Sequence, residues 1–159
     1  MSATPPTSSA EVPGPDETIV FRPRLVRVAG LAIGAVILAA MLLAAVIVPA
    51  TFGLADRVGF IALGVGTFWF CWREAQVRVV AGPETVEVRN LISKQELEWA
   101  EIVAVSFPEG DAWAHLDLAD GDTLPTMAFQ RADGARGIAA ARQMAALVAA
   151  RGEATEAGA

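Results

Sequence analysis

Two hydrophobic rhythms divide this chain. From Val28 to Ala55, 28 residues pass without one charged side chain, and a second apolar run covers Val58 to Trp72. From Gln76 onward apolar residues instead recur at every second position, as in "TVEVRNL", "KQELEW" and "AWAHLDLADGD". The first rhythm predicts helices without a polar face, and the second predicts half-buried strands.

Val28 to Val48 alone supplies 21 residues before Pro49. A hydrocarbon layer of ~30 Å needs about 20 helical residues at ~1.5 Å each, so this run is long enough to span. A buried helix of a soluble fold is usually shorter and carries a polar stripe. The second run gains its length if it starts at Leu54, which places Asp56 and Arg57 in its first turn at headgroup depth. It reads as a second span, with a re-entrant or interfacial segment as the alternative. Two transmembrane helices are therefore expected within residues 23–72, at about 25–48 and 54–72. Gly30 and Gly34 form a GxxxG pair suited to close helix contact.

Arginine placement orients the hairpin. Arg22, Arg24 and Arg27 precede the first span, Arg73 and Arg78 follow the second, and the connecting loop holds only Arg57. The positive-inside rule then puts both termini in the cytoplasm of a multi-pass plasma-membrane protein. Trp69, Trp72 and Arg73 are read with Arg24 and Arg27 as the cytoplasmic membrane interface, where amphipathic rings and cationic anchors prefer to sit. Residues 1–22, rich in Pro, Ser, Thr and Ala, bury too little to offset ordering and are expected to form a disordered tail. No cleavable signal peptide is expected there, because the apolar run starts late and exceeds the ~7–15 residues of a signal core.

In the second half, six strands alternate with turns. Val86 and Val88 share a face, as do Leu97 and Trp99, and Val103, Val105 and Phe107 are expected to share another. Ala114, Leu116 and Leu118 point inward, which turns Trp113, His115 and Asp117 outward. Asp120-Gly121 marks a hairpin turn, and Pro125 implies an edge strand or a bulge. "DGARGIAAARQMAALVAARG" is an amphipathic helix with Asp133 as its expected N-cap and Gly152 as its stop. A short disordered tail, 153–159, is expected to follow.

Composition sharpens the class. The 54% apolar content and mean hydropathy of +0.46 exceed those of ordinary soluble domains. A net charge of -6 argues against nucleic acid as a partner. The lone Cys71 excludes an intrachain disulfide and a cysteine zinc site, and its apolar neighbours suit an inert thiol. His115 has no Ser or second His placed beside it in sequence, so no catalytic residue is assigned. The acids of "LADGD" and "FPEGD" lack the ligand spacing of a calcium loop, so no metal and no cofactor are expected.

Strands curled into a half-open barrel, with one helix across the opening, describe a pleckstrin-homology (PH)-like domain. "VRNL", "LEWAEIVAVSF", "AWAHLDLADG" and "AFQRADG" resemble the bacterial PH-like domain of the low molecular weight protein antigen 6 family. The shared pattern is Asn90-Leu91, Trp99 with Glu101-Ile102, Trp113 to Leu116, and Gln130 to Asp133. It covers roughly Arg73 to Ala150. "ISKQELEW" departs from it, lacking the basic strand and the Pro before the Trp. The resemblance implies an α+β fold: a transmembrane helical hairpin, then a PH-like antiparallel β-barrel with a C-terminal capping helix over residues 73–152. It also implies membrane attachment, and it carries no agreed activity.

Phosphoinositide-binding PH domains use a basic loop between early strands. Here "VAGPETVE" has no Lys or Arg, and Arg73 to Ala159 holds 8 basic against 14 acidic residues. The expected role is a non-enzymatic docking or scaffold module for an unidentified protein partner or a second copy. Trp113 and His115 are its candidate partner surface. Headgroup sensing is the alternative.

Overall fold

The computed structural model describes residues 17–49 and 51–156. A short strand β1 (Ile19–Phe21) comes first, followed by α1 (Leu25–Ile47) and α2 (Leu54–Glu74). Six strands follow: β2 (Arg78–Ala81), β3 (Thr85–Arg89), β4 (Lys94–Glu98), β5 (Ile102–Ser106), β6 (Trp113–Leu118) and β7 (Thr123–Gln130). A 22-residue helix, α3 (Ala135–Glu156), closes the chain.

The strands form two antiparallel sheets, ordered β1-β2-β3-β4 and β5-β6-β7, and among the described residues no ladder closes them into the single barrel expected. Their inner faces follow the alternation in the sequence. Val79, Ala81, Val86, Val88 and Leu97 from the first sheet meet Ala114, Leu116, Leu124 and Phe129 from the second. Met144, Leu147 and Val148 of α3 complete the same core. Each fully buried aliphatic side chain of this kind contributes about 1.5–3 kcal/mol relative to exposure.

Three expectations need correction. Residues 19–21 are no tail: β1 pairs with β2, Phe21 opposite Val79, and the Phe21 ring meets Phe129 edge-on at 5.2 Å. A strand of three residues has too little pattern to be seen alone; it is stabilised by a partner that returns only after the hairpin. The part of the expected tail before residue 17 lies outside the described residues, as do residues 157–159. At the other end, α3 runs through Gly152, because one glycine costs a helix only ~1 kcal/mol and no proline follows it.

The third correction is one of phase. Val103 is 64% exposed while Ile102 is buried, since the β5–β6 register slips between Ile102 and Ala104. A bulge adds one residue to the strand, so the pattern before it is out of step with the pattern after it. Val105 and Phe107 still pack against the core.

The hairpin is held differently. Gly34 lies against Cys71 and Phe68, where an added Cβ would stand 3.0 Å from the Cys71 Cβ. Gly64 lies against Met41 and Leu38, at 2.9 Å from the Met41 Cβ. The contact therefore uses one glycine from each helix. Gly30 has nothing within 4 Å, so the GxxxG pair is not the seam. At the far end, Asp56 Oδ2 accepts from the Gly53 N–H at 2.9 Å and caps α2. Arg57 donates to the carbonyls of Ala45 (2.9 Å) and Val48 (3.0 Å), the free acceptors where α1 ends. Both residues fasten the loop.

Candidate functional site

The sequence-derived interface residues meet at one end of the hairpin because the helices are antiparallel. Arg24 and Arg27 are exposed at the start of α1, and Trp69 and Trp72 are exposed near the end of α2. Arg73 is half-buried in the last turn of α2. The chain leaves the first sheet at Phe21 and re-enters it at Arg78, beside Phe21's own partner Val79. The hairpin is thus inserted between neighbouring strands of the folded domain.

A second link fixes that insertion. Asp133 accepts from the backbone N–H of Arg24 at 2.9 Å and of Leu25 at 2.8 Å. The N-terminus of α1 presents unpaired N–H groups and the positive end of the helix dipole, and a carboxylate satisfies both. The sequence assigned Asp133 to its own helix, α3. The structure gives it to α1, because the chain turns through Arg131–Asp133 and a left-handed Gly134 (φ 59°) before α3 begins. No local signal distinguishes those two helices.

Arg24, Leu25, Val28, Asp133 and Arg136 line a cleft of ≈590 Å³ where α1 meets the start of α3. A cleft of ≈600 Å³ on the other side of α1 is lined by Val20, Arg22, Arg24, Arg27, Val28 and Leu31. Arg22, Arg24, Arg27 and Arg136 are all exposed, and among the described residues none forms an ion pair. A third cleft, ≈350 Å³, lies between α3 and the β5 end, with Phe107, Glu109, Arg131 and Arg142 among its lining.

Trp113 and His115 lie on the outer face of β6, both half-buried, while Ala114 and Leu116 between and beyond them are buried. Sequence reading saw no serine near His115, but the β5–β6 register puts Ser106 directly opposite it. That pairing makes no nucleophile. The Ser106 hydroxyl donates to Asp117 Oδ1 at 3.3 Å, and the His115 Nδ1 faces Asp111 Oδ2 at 3.6 Å. Beside this surface, Arg131 shapes the loop before β6. It donates to the carbonyls of Asp111 (2.9 Å) and Pro108 (2.7 Å), and its guanidinium lies over the Phe107 ring at 4.7 Å.

The quoted motif residues have structural work. Asn90 donates to the Pro125 carbonyl at 2.7 Å and accepts from the Met127 N–H at 3.1 Å, joining the first sheet to β7, the edge strand that carries Pro125. Trp99 is buried and its Nε1–H donates to the Gly82 carbonyl at 3.1 Å. Arg151 lies over the same ring at 5.0 Å, bonds the same Gly82 carbonyl and donates to the Glu17 carbonyl at 2.9 Å. The sequence did not single out Arg151. A basic residue near a helix end reads as solvated, and only the fold brings it onto Trp99. Among the described residues no group of three His, Cys, Asp or Glu side chains is arranged to hold a metal.

Residues 76–147, which carry strands β2 to β7 and the greater part of α3, match the family of bacterial PH domains. Those residues are a bacterial PH domain. An uncharacterized protein of Mycobacterium tuberculosis and one of Mycobacterium bovis are each 38% identical to this chain over 98 residues. The alignment covers 62% of this chain and 64% of each relative, so it spans somewhat less than two thirds of their length. No solved structure matches. The PH domain's β2–β3 turn, where Gly82 N–H bonds the Thr85 carbonyl at 2.9 Å, holds no Lys or Arg of its own, and the Arg151 guanidinium that reaches it from α3 is bonded to the Gly82 carbonyl.

Proposed function

We propose that this chain is a multi-pass membrane protein, both termini cytoplasmic, whose PH domain is a non-enzymatic docking module at the inner face of the plasma membrane. The observation that carries this reading is the uncovered apolar surface of the hairpin. Val28, Val36, Val46 and Leu54 are each more than half exposed, on helices long and apolar enough to cross a bilayer. A soluble protein rarely leaves such a surface in water, and lipid is the solvent that suits it. The orientation rests on the arginines gathered at the domain end, whereas Arg57 at the other end is spent on α1 carbonyls.

Docking is supported by what the PH domain offers. The outer face of β6 presents Trp113 and His115, and tryptophan is enriched where binding energy concentrates. Strand β5 is an edge that an extended segment can pair with. The absence of an enzyme reading rests on Ser106, whose hydroxyl is turned to Asp117 rather than His115.

Crosslinking of the full-length chain in cells, followed by carbonate washing of membranes, tests both parts. The chain is expected in the washed pellet, crosslinked to a defined partner or a second copy, with Trp113→Ala reducing that product several-fold. Recovery in the supernatant would refute the membrane reading. A pellet with no specific product, or one indifferent to Trp113→Ala, would refute the docking surface.

A further inference from the structure

Resting on the membrane reading above, we infer that the junction of α1 and α3 binds the phosphate of an anionic phospholipid headgroup, with Arg24, Arg27 and Arg136 as its cations. The site is assembled from segments more than a hundred residues apart. Arg24 and Arg136 line one cleft, Arg24 and Arg27 line its neighbour, and Val28 borders both. None of these arginines pairs with a carboxylate among the described residues. The acid in the cleft, Asp133, has both oxygens engaged by backbone N–H groups of α1, so it holds the helix rather than quenching the guanidinium groups.

Depth supports a lipid over a soluble ligand. Arg24, Arg27, Val28 and Leu31 fall at i, i+3, i+4 and i+7, one face of α1. At ~1.5 Å per residue that face runs about 10 Å from charge to hydrocarbon, the step from headgroup to acyl chain. Guanidinium forks match phosphate oxygens in pairs, which ammonium groups do not. From Arg73 onward the chain as a whole repels anions, with 14 acidic against 8 basic residues, Arg136 among them. The junction is the place where the bilayer meets positive charge that no carboxylate pairs among the described residues.

Native mass spectrometry of the full-length protein in mild detergent, titrated with phosphatidylglycerol or phosphatidylcholine, reads this directly. Phosphatidylglycerol is expected to bind at least tenfold more tightly. A juxtamembrane cation contributes about 1 kcal/mol, so the Arg24→Gln/Arg136→Gln double variant should lose about twentyfold to thirtyfold in that affinity. Arg142→Gln, which removes one charge from the α3–β5 cleft, should bind as wild type. Arg24→Gln keeps the backbone N–H that Asp133 accepts, so the junction itself stays intact. Equal binding of the two lipids, or an unaltered double variant, would overturn the inference while leaving the membrane reading in place. Displacement of the lipid by millimolar inorganic phosphate would also overturn it, since the site would then select a free anion. A chain that does not partition into washed membranes overturns both.

Discussion

Val46 in α1 and Val86 in β3 are the same side chain in two regimes: 74% of one is exposed and none of the other. The hairpin is apolar on nearly every face and covers little of itself, touching along a seam of Gly34, Gly64 and Cys71. The PH domain is apolar on alternate positions and covers almost all of them. The two regions therefore differ in how much of their apolar surface the protein itself covers. In the domain the protein excludes water from its own side chains; in the hairpin, on the membrane reading proposed above, that task falls to lipid. It follows that the domain should respond to cavities and the hairpin to backbone separation.

Trp99→Ala gives the largest expected effect, because it tests the domain's side of this contrast. It removes a buried indole together with its hydrogen bond to the Gly82 carbonyl, and takes away the ring beneath Arg151. Truncating a buried Trp costs about 3–5 kcal/mol. Thermal unfolding of the detergent-solubilised chain, followed by circular dichroism of the sheet signal, should show a fall in midpoint of well over ten degrees. Trp99→Phe keeps most of the packing and should recover most of that loss. An Ala variant that melts like wild type would mean that the core is not organised around this ring.

The hairpin should react to added volume instead. A side chain at Gly34 would meet Cys71 at 3.0 Å or less, whereas one at Gly30 meets nothing within 4 Å. Gly34→Leu is thus expected to separate the helices and expose the half-buried Cys71 thiol, raising its labelling rate by a maleimide about tenfold, as a weakened seam of ~1–2 kcal/mol implies. Gly30→Leu should leave that rate unchanged. If both variants label alike, the seam is misplaced and the contrast with the domain loses its geometric basis.

How much of this could be read from residues alone follows the same division. The hairpin was legible because 28 uncharged residues permit few alternatives, and strands β2 to β7 were legible because alternation and turns such as Asp120-Gly121 repeat. Gly121 does take a positive φ, 90°, as that turn requires. What escaped was non-local. Strand β1 exists only against β2, Asp133 serves a helix that begins 108 residues before it, and Arg151 is buried by contacts to Gly82 and Glu17. A sequence window sees propensity and periodicity, while these residues acquire their roles from partners outside any window. The GxxxG pair failed for a related reason: spacing marks where helices are able to touch, and the opposing helix decides which glycine does.

The smallest effect concerns charge, which the domain carries and the stretch from Val28 to Ala55 lacks. Glu87 on β3 bonds Arg78 and Lys94, each at 3.1 Å. The Lys94 ammonium foremost, against some desolvation and with Arg78 adding to it, holds the Glu87 carboxyl below its ordinary value of 4.5. A folded-state pKa below the unfolded one means that the carboxylate stabilises the fold at neutral pH. That contribution is complete above the unfolded value and disappears as pH falls through the folded one. The pair is partly solvated, so less than about 1 kcal/mol is at stake. Wild type and Glu87→Gln should therefore differ by a few degrees in midpoint at pH 7 and converge as pH falls well below the ordinary value of 4.5. Between Val28 and Ala55 no group titrates, so acid should loosen the PH domain while the first span stays helical. A Glu87→Gln gap that persisted at low pH would assign the difference to packing rather than charge, and the electrostatic part of the contrast would fall.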